Sequence, residues 1–518
     1  MKKRFLFLFL LFSCIRSFAQ DEVIYTWCGG VTSDSVSVNA KLTDTSSTIR
    51  LVLSTSAQFL SPVYSSFYSV DTNTNMMVAM RVGGLIPSTK YYYAVESGGV
   101  PDTSVDDVGS FTTYAAGAFS FSFVAGSCCL NSQHGVYSAM KNLDPLFYVN
   151  MGDLHYANPN SATNIYAHRD PYETLVLSKQ RAAAFLKQVP IDYVWDDHDF
   201  CGNDSDSSYV GKQNARRAYR EYVPHYPLPS PTGAIYQSYK VGRVRFIHTD
   251  LRSERYGSSM MGAQQKTWFK SECVKARNNN EMIAWISSVT WSGTTPDNWG
   301  GFQSERTELS NFFRDSMISN MFIICGDAHM LGIDDGSHGD FSSFITNGAL
   351  YPVFAAGALN QNGSYKGGTF SEGGYFPNPS YLAGQFGLVN VIDTGGDDIC
   401  IHFTGYRCDS AGSGISYVNY YEFCRTLGPN INSTPDVVSE SSIDIFPNPS
   451  EGKFTLAMSG NGEGFDLQVM NALGEQVLGK KEAENNLVLD LSGKPPGVYF
   501  AKIISKRGCS VRKILVQH

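Results

Sequence analysis

Short alternations of apolar and polar residues dominate the first hundred positions of the chain. Residues 35–42, 49–53 and 76–82 alternate in this way, and residues 85–95 join a turn to another strand-like run. A period of two residues is typical of half-buried β-strands. We therefore predict an all-β module over residues 20–115.

The pattern changes after residue 116, where apolar strand-like runs alternate with stretches of helical composition. The strand-like runs cover residues 119–125, 244–250, 282–289 and 321–325. The helix-like stretches cover residues 170–188, 262–277 and 304–316. This alternation predicts an α/β layered domain over residues 116–425.

The last part of the chain returns to strand-like patterns. Residues 426–442 are rich in Gly, Pro, Asn, Ser and Thr without periodicity, which predicts a linker. Residues 443–518 follow as a small β module, with strands over 454–458, 465–470 and 497–503 and a turn at 471–474. We detect no internal repeat.

The first residues predict export. A basic start at residues 2–4 precedes the apolar run 5–12, and Ser17-Phe18-Ala19 has the small-x-small pattern of a cleavage site. These features predict a Sec signal peptide over residues 1–19, cut after Ala19. The apolar run is too short to span a bilayer and no later run is longer, so we predict no transmembrane span.

Composition and charge narrow the function classes. A length of 518 residues suggests about three domains. The net charge of −8 argues against nucleic acid or an anionic membrane as the main partner. Export permits disulfides among the eleven cysteines, of which Cys400, Cys408 and Cys424 cluster, but sequence does not give their connectivity.

Three strand-like runs end in Asp and His. Residues 195–199 read Trp-Asp-Asp-His-Asp, residues 151–155 read Met-Gly-Asp-Leu-His, and residues 325–329 read Cys-Gly-Asp-Ala-His. Neighbouring carboxylates repel each other when buried unless a cation compensates them. A solvated acidic loop is the alternative for any one of them. Because ligand sites in layered α/β folds lie at strand ends, we favour one shared metal centre.

Six ordered motifs resemble the alkaline phosphatase D family of metallophosphatases. They lie at residues 126–129, 152–156, 195–199, 249–255, 262–268 and 326–329. The resemblance implies a metallophosphatase-type layered β-sandwich flanked by helices. It also implies that the N-terminal module is a fibronectin-like β-sandwich.

The tail resembles the C-terminal sorting domain of the bacterial type IX secretion system. Residues 445–454 correspond to its opening motif, and residues 471–477, 496–500 and 513–516 to later ones. The resemblance implies a secreted or cell-surface protein, with the secretion machinery as partner and removal of the tail afterwards. A carbohydrate-binding β module is the alternative.

The family resemblance also implies site roles. His198 would hydrogen-bond the phosphoryl oxygen or leaving group, and Cys128 would bind iron, with a disulfide as its alternative. Cys129 is interpreted as core. The implied metal ligands are Cys128, Asp153, Tyr172, Asp197, Asp327 and His329. Asp153 would bridge two cations, and Tyr156 and Tyr166 rival Tyr172. Iron and calcium are implied, with Mn2+ or Zn2+ as alternatives.

The predicted function is hydrolysis of small phosphate esters by a metal-activated water, as in alkaline phosphatases and phosphodiesterases. Arg252 would either clamp phosphate or form a surface salt bridge. The rival hypothesis is a surface binding module with a degenerate site. No Gly-x-Ser-x-Gly motif supports a serine nucleophile. A preference for monoesters or diesters would depend on the loops at residues 203–240 and 360–380. The sequence alone does not give the conformation of these loops.

Overall fold

A computed structural model describes most of the chain in two compact units, which lie within Met1–Gly428 and Pro429–His518. The predicted signal peptide and most of the predicted linker lie outside the described residues. The described residues are 23–45, 48–103, 107–160, 164–343, 351–364, 366–377, 383–427, 443–458, 465–471, 475–483, 486–505 and 508–517.

Nine strands form among the described N-terminal residues, and four of these strands overlap the alternating runs of the sequence. They are β1 (Val23–Gly29), β2 (Val36–Leu42), β3 (Thr48–Ser54), β4 (Val63–Tyr64), β5 (Tyr68–Ser69), β6 (Met77–Val82), β7 (Lys90–Ser97), β8 (Val100–Pro101) and β9 (Gly109–Thr112). One sheet is formed by β3 and β7, which pair with each other and with β4, β5, β8 and β9. β1, β2 and β6 belong to a second sheet that continues beyond this region.

Further strands and helices follow to residue 426. The strands are β10 (Phe121–Gly126), β11 (Phe147–Asn150), β12 (Ile191–Tyr193), β13 (Gln237–Val241), β14 (Val244–Thr249), β15 (Met282–Ser287), β16 (Met321–Cys325), β17 (Leu331–Asp334), β18 (Val353–Ala356), β19 (Glu372–Tyr375), β20 (Gly384–Ile392), β21 (Asp398–Cys408) and β22 (Ser416–Thr426). The helices are α1 (Val136–Lys141), α2 (Tyr166–Pro171), α3 (Gln180–Leu186), α4 (Asp197–Phe200), α5 (Lys212–Tyr222), α6 (Ala263–Asn278) and α7 (Gln303–Asp315), and the 3-10 turns are Thr72–Thr74 and Trp299–Phe302.

The first large sheet joins the N-terminal strands to the central domain. Its order is β22-β21-β20-β10-β11-β12-β1-β2-β6, with β10, β11 and β12 mutually parallel. β1 joins β12 through the pairing of Gly29 with Ile191. A single hydrophobic cluster runs from Val23 to Leu427. The N-terminal strands therefore share a sheet and a core with the central domain, and a domain boundary at residue 115 stays a prediction.

The second large sheet faces the first. Its order is β13-β14-β15-β16-β18-β17-β19, and β14, β15, β16 and β18 are parallel. Phe123 meets Phe246 across the interface with ring centroids 5.3 Å apart, and Phe354 stacks on Phe403 at 4.6 Å. Strands covered on both faces are expected to be continuously apolar, as β15 and β16 are.

Helices cover the outer faces of both sheets. Phe269 of α6 packs on Trp285 of β15 at 4.8 Å, within a cluster that also holds residues of α7. Phe185 of α3 packs on Tyr148 of β11 at 5.4 Å. The sheet-rich α/β organisation thus agrees with the prediction. Among the described residues, no helix has the length and apolarity needed to cross a membrane.

The helix predicted over residues 170–188 is broken into three segments. α2 ends at Pro171, residues Tyr172–Leu177 form a π-helical segment, and α3 begins at Gln180. Pro171 lacks a backbone N–H, so it cannot donate the bond that a regular α-helix needs at that point. The irregular segment lies where α2 would otherwise continue.

One disulfide is present among the described cysteines. Cys400 and Cys424 are directly opposite each other on the antiparallel strands β21 and β22, and they are bonded. Cys408, the third member of the sequence cluster, is buried and unbridged. Strand register therefore decides the pairing that spacing leaves open.

The second unit contains two small sheets. Its strands are β23 (Ile443–Phe446), β24 (Lys453–Met458), β25 (Phe465–Asn471), β26 (Gln476–Ala483), β27 (Leu487–Asp490), β28 (Gly497–Ser505) and β29 (Gly508–Val516). The sheet orders are β23-β24-β27 and β26-β25-β28-β29. Phe454, Leu467, Val469 and Ile514 contribute to its core. Most of the turn predicted at 471–474 lies outside the described residues.

Candidate metal centre

The carboxyl ends of parallel strands from both large sheets hold the predicted site residues. Cys128 follows β10, Asp153 follows β11, and Asp197 begins α4 after β12. Asp327 and His329 follow β16 in the facing sheet. Parallel strands end at one edge of a sheet, so residues far apart in sequence meet there.

Four of these residues have left-handed backbones. The φ angles are 62° at Cys128, 52° at Asp153, 60° at Asp327 and 50° at His329. This conformation costs an L-residue on the order of 1 kcal/mol. The Cys129 N–H donates to the Asp153 carbonyl at 2.8 Å, which ties two strand ends together. Concentrated backbone strain is typical of a functional site.

The donor atoms form two overlapping groups. Cys128, Asp153 and His329 each offer one donor atom within 4.8 Å of the others, and so do Asp153, Asp197 and His198. Asp153 belongs to both groups. A third group contains Asp197, Asp204 and Asp297. The first two groups have the arrangement in which one carboxylate reaches two adjoining cations.

Burial leaves this negative charge poorly compensated. Burial, followed by the charge of Asp197, raises the pKa of Asp153 well above its usual range. Burial, followed by the charge of Asp153, does the same to the pKa of the Cys128 thiol. Asp327 Oδ2 is buried and has no hydrogen-bond partner among the described residues. Bound cations would compensate the negative charge of Asp153, Cys128 and Asp327. These residues therefore fit a metal centre.

The three carboxylates of residues 195–199 have different roles. Asp199 accepts hydrogen bonds from the backbone N–H of Asp196 at 2.7 Å and of Leu154 at 2.9 Å, and from the Tyr193 hydroxyl. These contacts fix the start of α4 against the loop that carries Asp153. Of the three carboxylates, only Asp197 belongs to the donor groups.

Arg252 lies in a buried ion network rather than at the surface. Its Nε donates to Asp196 at 2.6 Å, and its terminal nitrogens donate to Asp297 at 2.6 and 2.9 Å. Ser288 also donates to Asp196, at 2.9 Å. The Arg252 side chain is 0% exposed. Its donors are therefore directed at two carboxylates in a buried ion pair, so the alternative of a salt bridge at the surface is wrong.

His198 is held beside the donor groups. Its Nδ1 lies 2.6 Å from Asn158 Oδ1, which can only accept, so Nδ1 carries the proton. Its backbone N–H donates to Asp197 Oδ1 at 2.8 Å and to Asp153 Oδ1 at 3.3 Å. Burial lowers its pKa despite the nearby Asp197 carboxylate. Nε2 is thus the ring atom available for chemistry.

The structure does not bring Tyr172 to the donor groups. Its ring is buried against Trp27, His155 and Tyr222, with centroids 6.3, 5.3 and 5.6 Å away. The break after Pro171 places it on the side of the N-terminal strands. These ring contacts favour one of its two rivals, and the identity of the tyrosine ligand stays a prediction.

Tyr156, one of the two rivals, lies beside the donor groups. Its hydroxyl is 3.3 Å from His329 Nε2, and the charge of Asp153 acts on it. Burial, followed by the charge of Asp153, raises the pKa of Tyr156. Tyr166, the other rival, is 43% exposed. Only Tyr156 shares a strand-end loop with Asp153, a signal that was present in sequence.

Three charged residues at the site were not predicted from the sequence. Asp204 and Asp297 belong to the third donor group. The Lys366 ammonium lies 2.8 Å from Asp327 Oδ1. None of them follows an apolar strand directly, so the signal that marked the other residues was absent.

Two cysteines and four further histidines have local contacts in the structure. Within the described residues Cys128 forms no disulfide, and Cys129 is core, where it accepts from Tyr137 at 3.2 Å. His248 lies 3.4 Å from the Tyr239 hydroxyl, and His338 pairs with Asp334 at 2.9 Å. His134 and His225 also bond locally, at Val136 N and Tyr226 O. None of these four histidines belongs to the donor groups.

Two facing sheets carry thiol, carboxylate and imidazole groups at their strand ends, and this layered arrangement can be compared with known families. The PhoD-like phosphatase family model matches residues 121–372, which hold the whole centre. The model of a secretion system C-terminal sorting domain matches residues 444–517. The resemblance to the alkaline phosphatase D family, with a type IX sorting domain at the tail, is confirmed.

Individual relatives agree with these matches. Alkaline phosphatase D of Bacillus subtilis (strain 168) is 24% identical over 320 residues, and the match covers 49% of this chain and 53% of the relative. The chain thus spans about half the length of that relative.

Solved structures share the fold. The structure of PhoD aligns with a TM-score of 0.59 at 14% identity, covering 76% of this chain and 92% of its own. A purple acid phosphatase from yellow lupin (Lupinus luteus) seeds aligns with a TM-score of 0.53 at 12% identity, covering 78% and 74%. At these identities the alignments establish the fold alone.

Proposed function

We propose that the protein is a secreted, metal-dependent phosphoric ester hydrolase. The observation that carries the proposal is the shared Asp153 carboxylate, which belongs to both the Cys128–His329 group and the Asp197–His198 group. A carboxylate common to two donor groups suits a pair of adjoining cations, the arrangement used to hydrolyse phosphate esters. The match to the PhoD-like phosphatase model supports the same reading.

The two halves of the centre offer different donors. Cys128, Tyr156, Asp327 and His329 would hold one cation, and Asp197 the other, with Asp153 between them. By resemblance iron would be held by the half with the Cys128 thiol and the Tyr156 phenol, and calcium by the oxygen-rich half. Mn2+ or Zn2+ are the alternatives. Cations bound here would supply an acidified water and positive charge facing the phosphoryl oxygens.

The chain itself supplies orientation and a proton. Asn158 fixes the His198 ring through Nδ1, so in the imidazolium form Nε2–H is directed away from Asn158 and can donate to the leaving oxygen. Burial lowers the pKa of His198, which makes the imidazolium a stronger acid. Arg252 reaches to 3.9 Å from Asp197 Oδ2 and helps to orient that carboxylate.

Export belongs to the same proposal. The sorting-domain match indicates a secreted or cell-surface protein. We propose entry into the periplasm through a Sec signal peptide over residues 1–19, and then passage through the type IX machinery, which would recognise the tail.

The decisive experiment combines substrates, metals and one substitution. Chromogenic phosphomonoesters and phosphodiesters are assayed with iron, Ca2+, Mn2+ and Zn2+, on the natural protein and on Asp153→Asn. We expect turnover of at least one ester class, and a fall of about 100-fold or more in Asp153→Asn, because a neutral amide cannot bridge two cations. Metal content should fall with it.

Asp315→Asn is the matched control, because this carboxyl is 65% exposed at the end of α7. It should retain normal turnover and metal content. Failure of the fully metallated natural protein to hydrolyse either ester class would favour the binding-module hypothesis. Normal activity in Asp153→Asn would refute the assignment of the centre.

A further inference from the structure

Lys366 brings a partly exposed positive charge to the centre. Its Nζ lies 2.8 Å from Asp327 Oδ1, and its side chain is 32% exposed. Arg252, the other cation nearby, is 0% exposed and engaged by Asp196 and Asp297. Lys366 therefore contacts the centre and is also accessible to solvent. Arg252 is not accessible to solvent.

Buried polar groups hold the backbone around Lys366. The Asn298 side chain, itself 0% exposed, donates to the Lys366 carbonyl at 2.9 Å. The Ser292 hydroxyl donates to the next carbonyl, that of Gly367, at 2.9 Å. Gly368 has a φ of +84°, and a Cβ there would lie 1.9 Å from the Ser292 carbonyl oxygen. These contacts place Lys366 at a defined position over the site.

The contact with Asp327 leaves room for further binding. Lys366 pairs with Oδ1, whereas Oδ2 is buried without a hydrogen-bond partner among the described residues. Asp327 could thus offer Oδ2 to a cation and keep Lys366 on Oδ1. An ammonium group has three donors, so two would remain for another acceptor.

We propose that Lys366 is a substrate-positioning residue, whose ammonium donates to a non-bridging oxygen of the bound phosphoryl group. This inference rests on the proposed function. A phosphoryl group held at the centre is anionic and offers several oxygen acceptors, which a charged donor at the rim would orient. The competing role is structural, in which Lys366 only neutralises Asp327.

The test compares Lys366→Met and Lys366→Arg with the natural protein. Inorganic phosphate is the probe: its Kd is measured by calorimetry on metal-loaded protein, and its inhibition constant and the ester KM are measured by kinetics. We expect Lys366→Met to weaken phosphate binding and raise KM by about tenfold, because one charge-assisted hydrogen bond is lost. Lys366→Arg should restore most of both, and metal content should stay normal in both variants.

Lys270→Met is the matched control, because Lys270 pairs with Glu308 on the surface at 2.6 Å. It should leave phosphate affinity unchanged. Unchanged phosphate affinity in Lys366→Met would overturn the proposal, and so would loss of metal from Lys366→Met that accounts for all of its weaker binding. Absence of turnover in the natural protein would instead defeat the proposed function, and the calorimetric Kd would still decide the role of Lys366.

Discussion

Neighbouring carboxylates in the 195–199 motif have separate partners. Asp199 binds backbone N–H groups, Asp196 binds Arg252, and Asp197 joins the donor groups. Side chains that are adjacent in sequence point in different directions at the start of a helix, so each meets a different environment. A candidate metal-ligand motif can thus include residues that orient their neighbours instead of offering a donor atom to an ion.

Substitutions of Tyr156 and Tyr172 test which of the two tyrosines binds iron. Tyr156→Phe should lower iron content and remove the tyrosinate charge-transfer absorption of iron-loaded protein, because the phenolate ligand is lost. Tyr172→Phe should keep both and change stability by about 1 kcal/mol or less, since only a hydroxyl is removed. Visible absorption and metal analysis measure the difference. The opposite pattern would restore Tyr172 as the ligand.

At the level of elements, one junction joins the N-terminal strands to the central sheet. Strand β1 meets β12 at Gly29 and Ile191. A Cβ on Gly29 would lie 2.4 Å from the Ile191 carbonyl oxygen and 2.6 Å from that of Pro224. Both neighbours are backbone atoms, so they cannot move aside as a flexible side chain would. The close approach of β1 and β12 therefore depends on glycine.

Gly29→Ala should destabilise the protein by about 1–3 kcal/mol through this overlap. Thermal unfolding of the natural protein and the variant measures the effect. Gly83→Ala is the control, because a Cβ there meets no atom within 4 Å. Equal unfolding midpoints for Gly29→Ala and Gly83→Ala would contradict this role of the junction.

At the level of the whole molecule, the donor groups and the sorting-domain match lie in different units. Every donor group lies within residues 1–428, and the sorting-domain match lies within residues 429–518. The second unit has its own hydrophobic core. A unit with its own core is expected to fold on its own.

Deleting residues 443–518 should leave turnover and the unfolding midpoint of the first unit unchanged but strand the enzyme in the periplasm. Val469→Asp in the full chain is the companion variant, because Val469 is 0% exposed in the tail core. A buried charge should unfold the tail and block export in the same way. Activity measured in periplasmic and surface fractions tests both variants. Normal export of the truncated protein would instead favour an accessory binding module.

The sequence by itself determined the order of the main strands and helices and placed five of the six candidate ligands directly after strands. Periodic apolar runs are local signals, and Asp153, Asp197, Asp327 and His329 directly follow such runs. Cys128 came from a family motif at the same kind of strand end. The residues that directly follow a strand lie at the edge of the sheet, whatever the conformation of the connecting loops. Their position along the chain was therefore enough to predict that they lie at this edge.

Only the tertiary structure decided which tyrosine and which positively charged side chains lie near the donor groups. Lys366 meets Asp327 across 39 residues, and Arg252 meets Asp297 across 45. These partners lie in loops without apolar periodicity, so no local pattern marks them. Burial and the approach of the two sheets select the contacts, because a buried charge is stable only where a partner of opposite sign is held beside it.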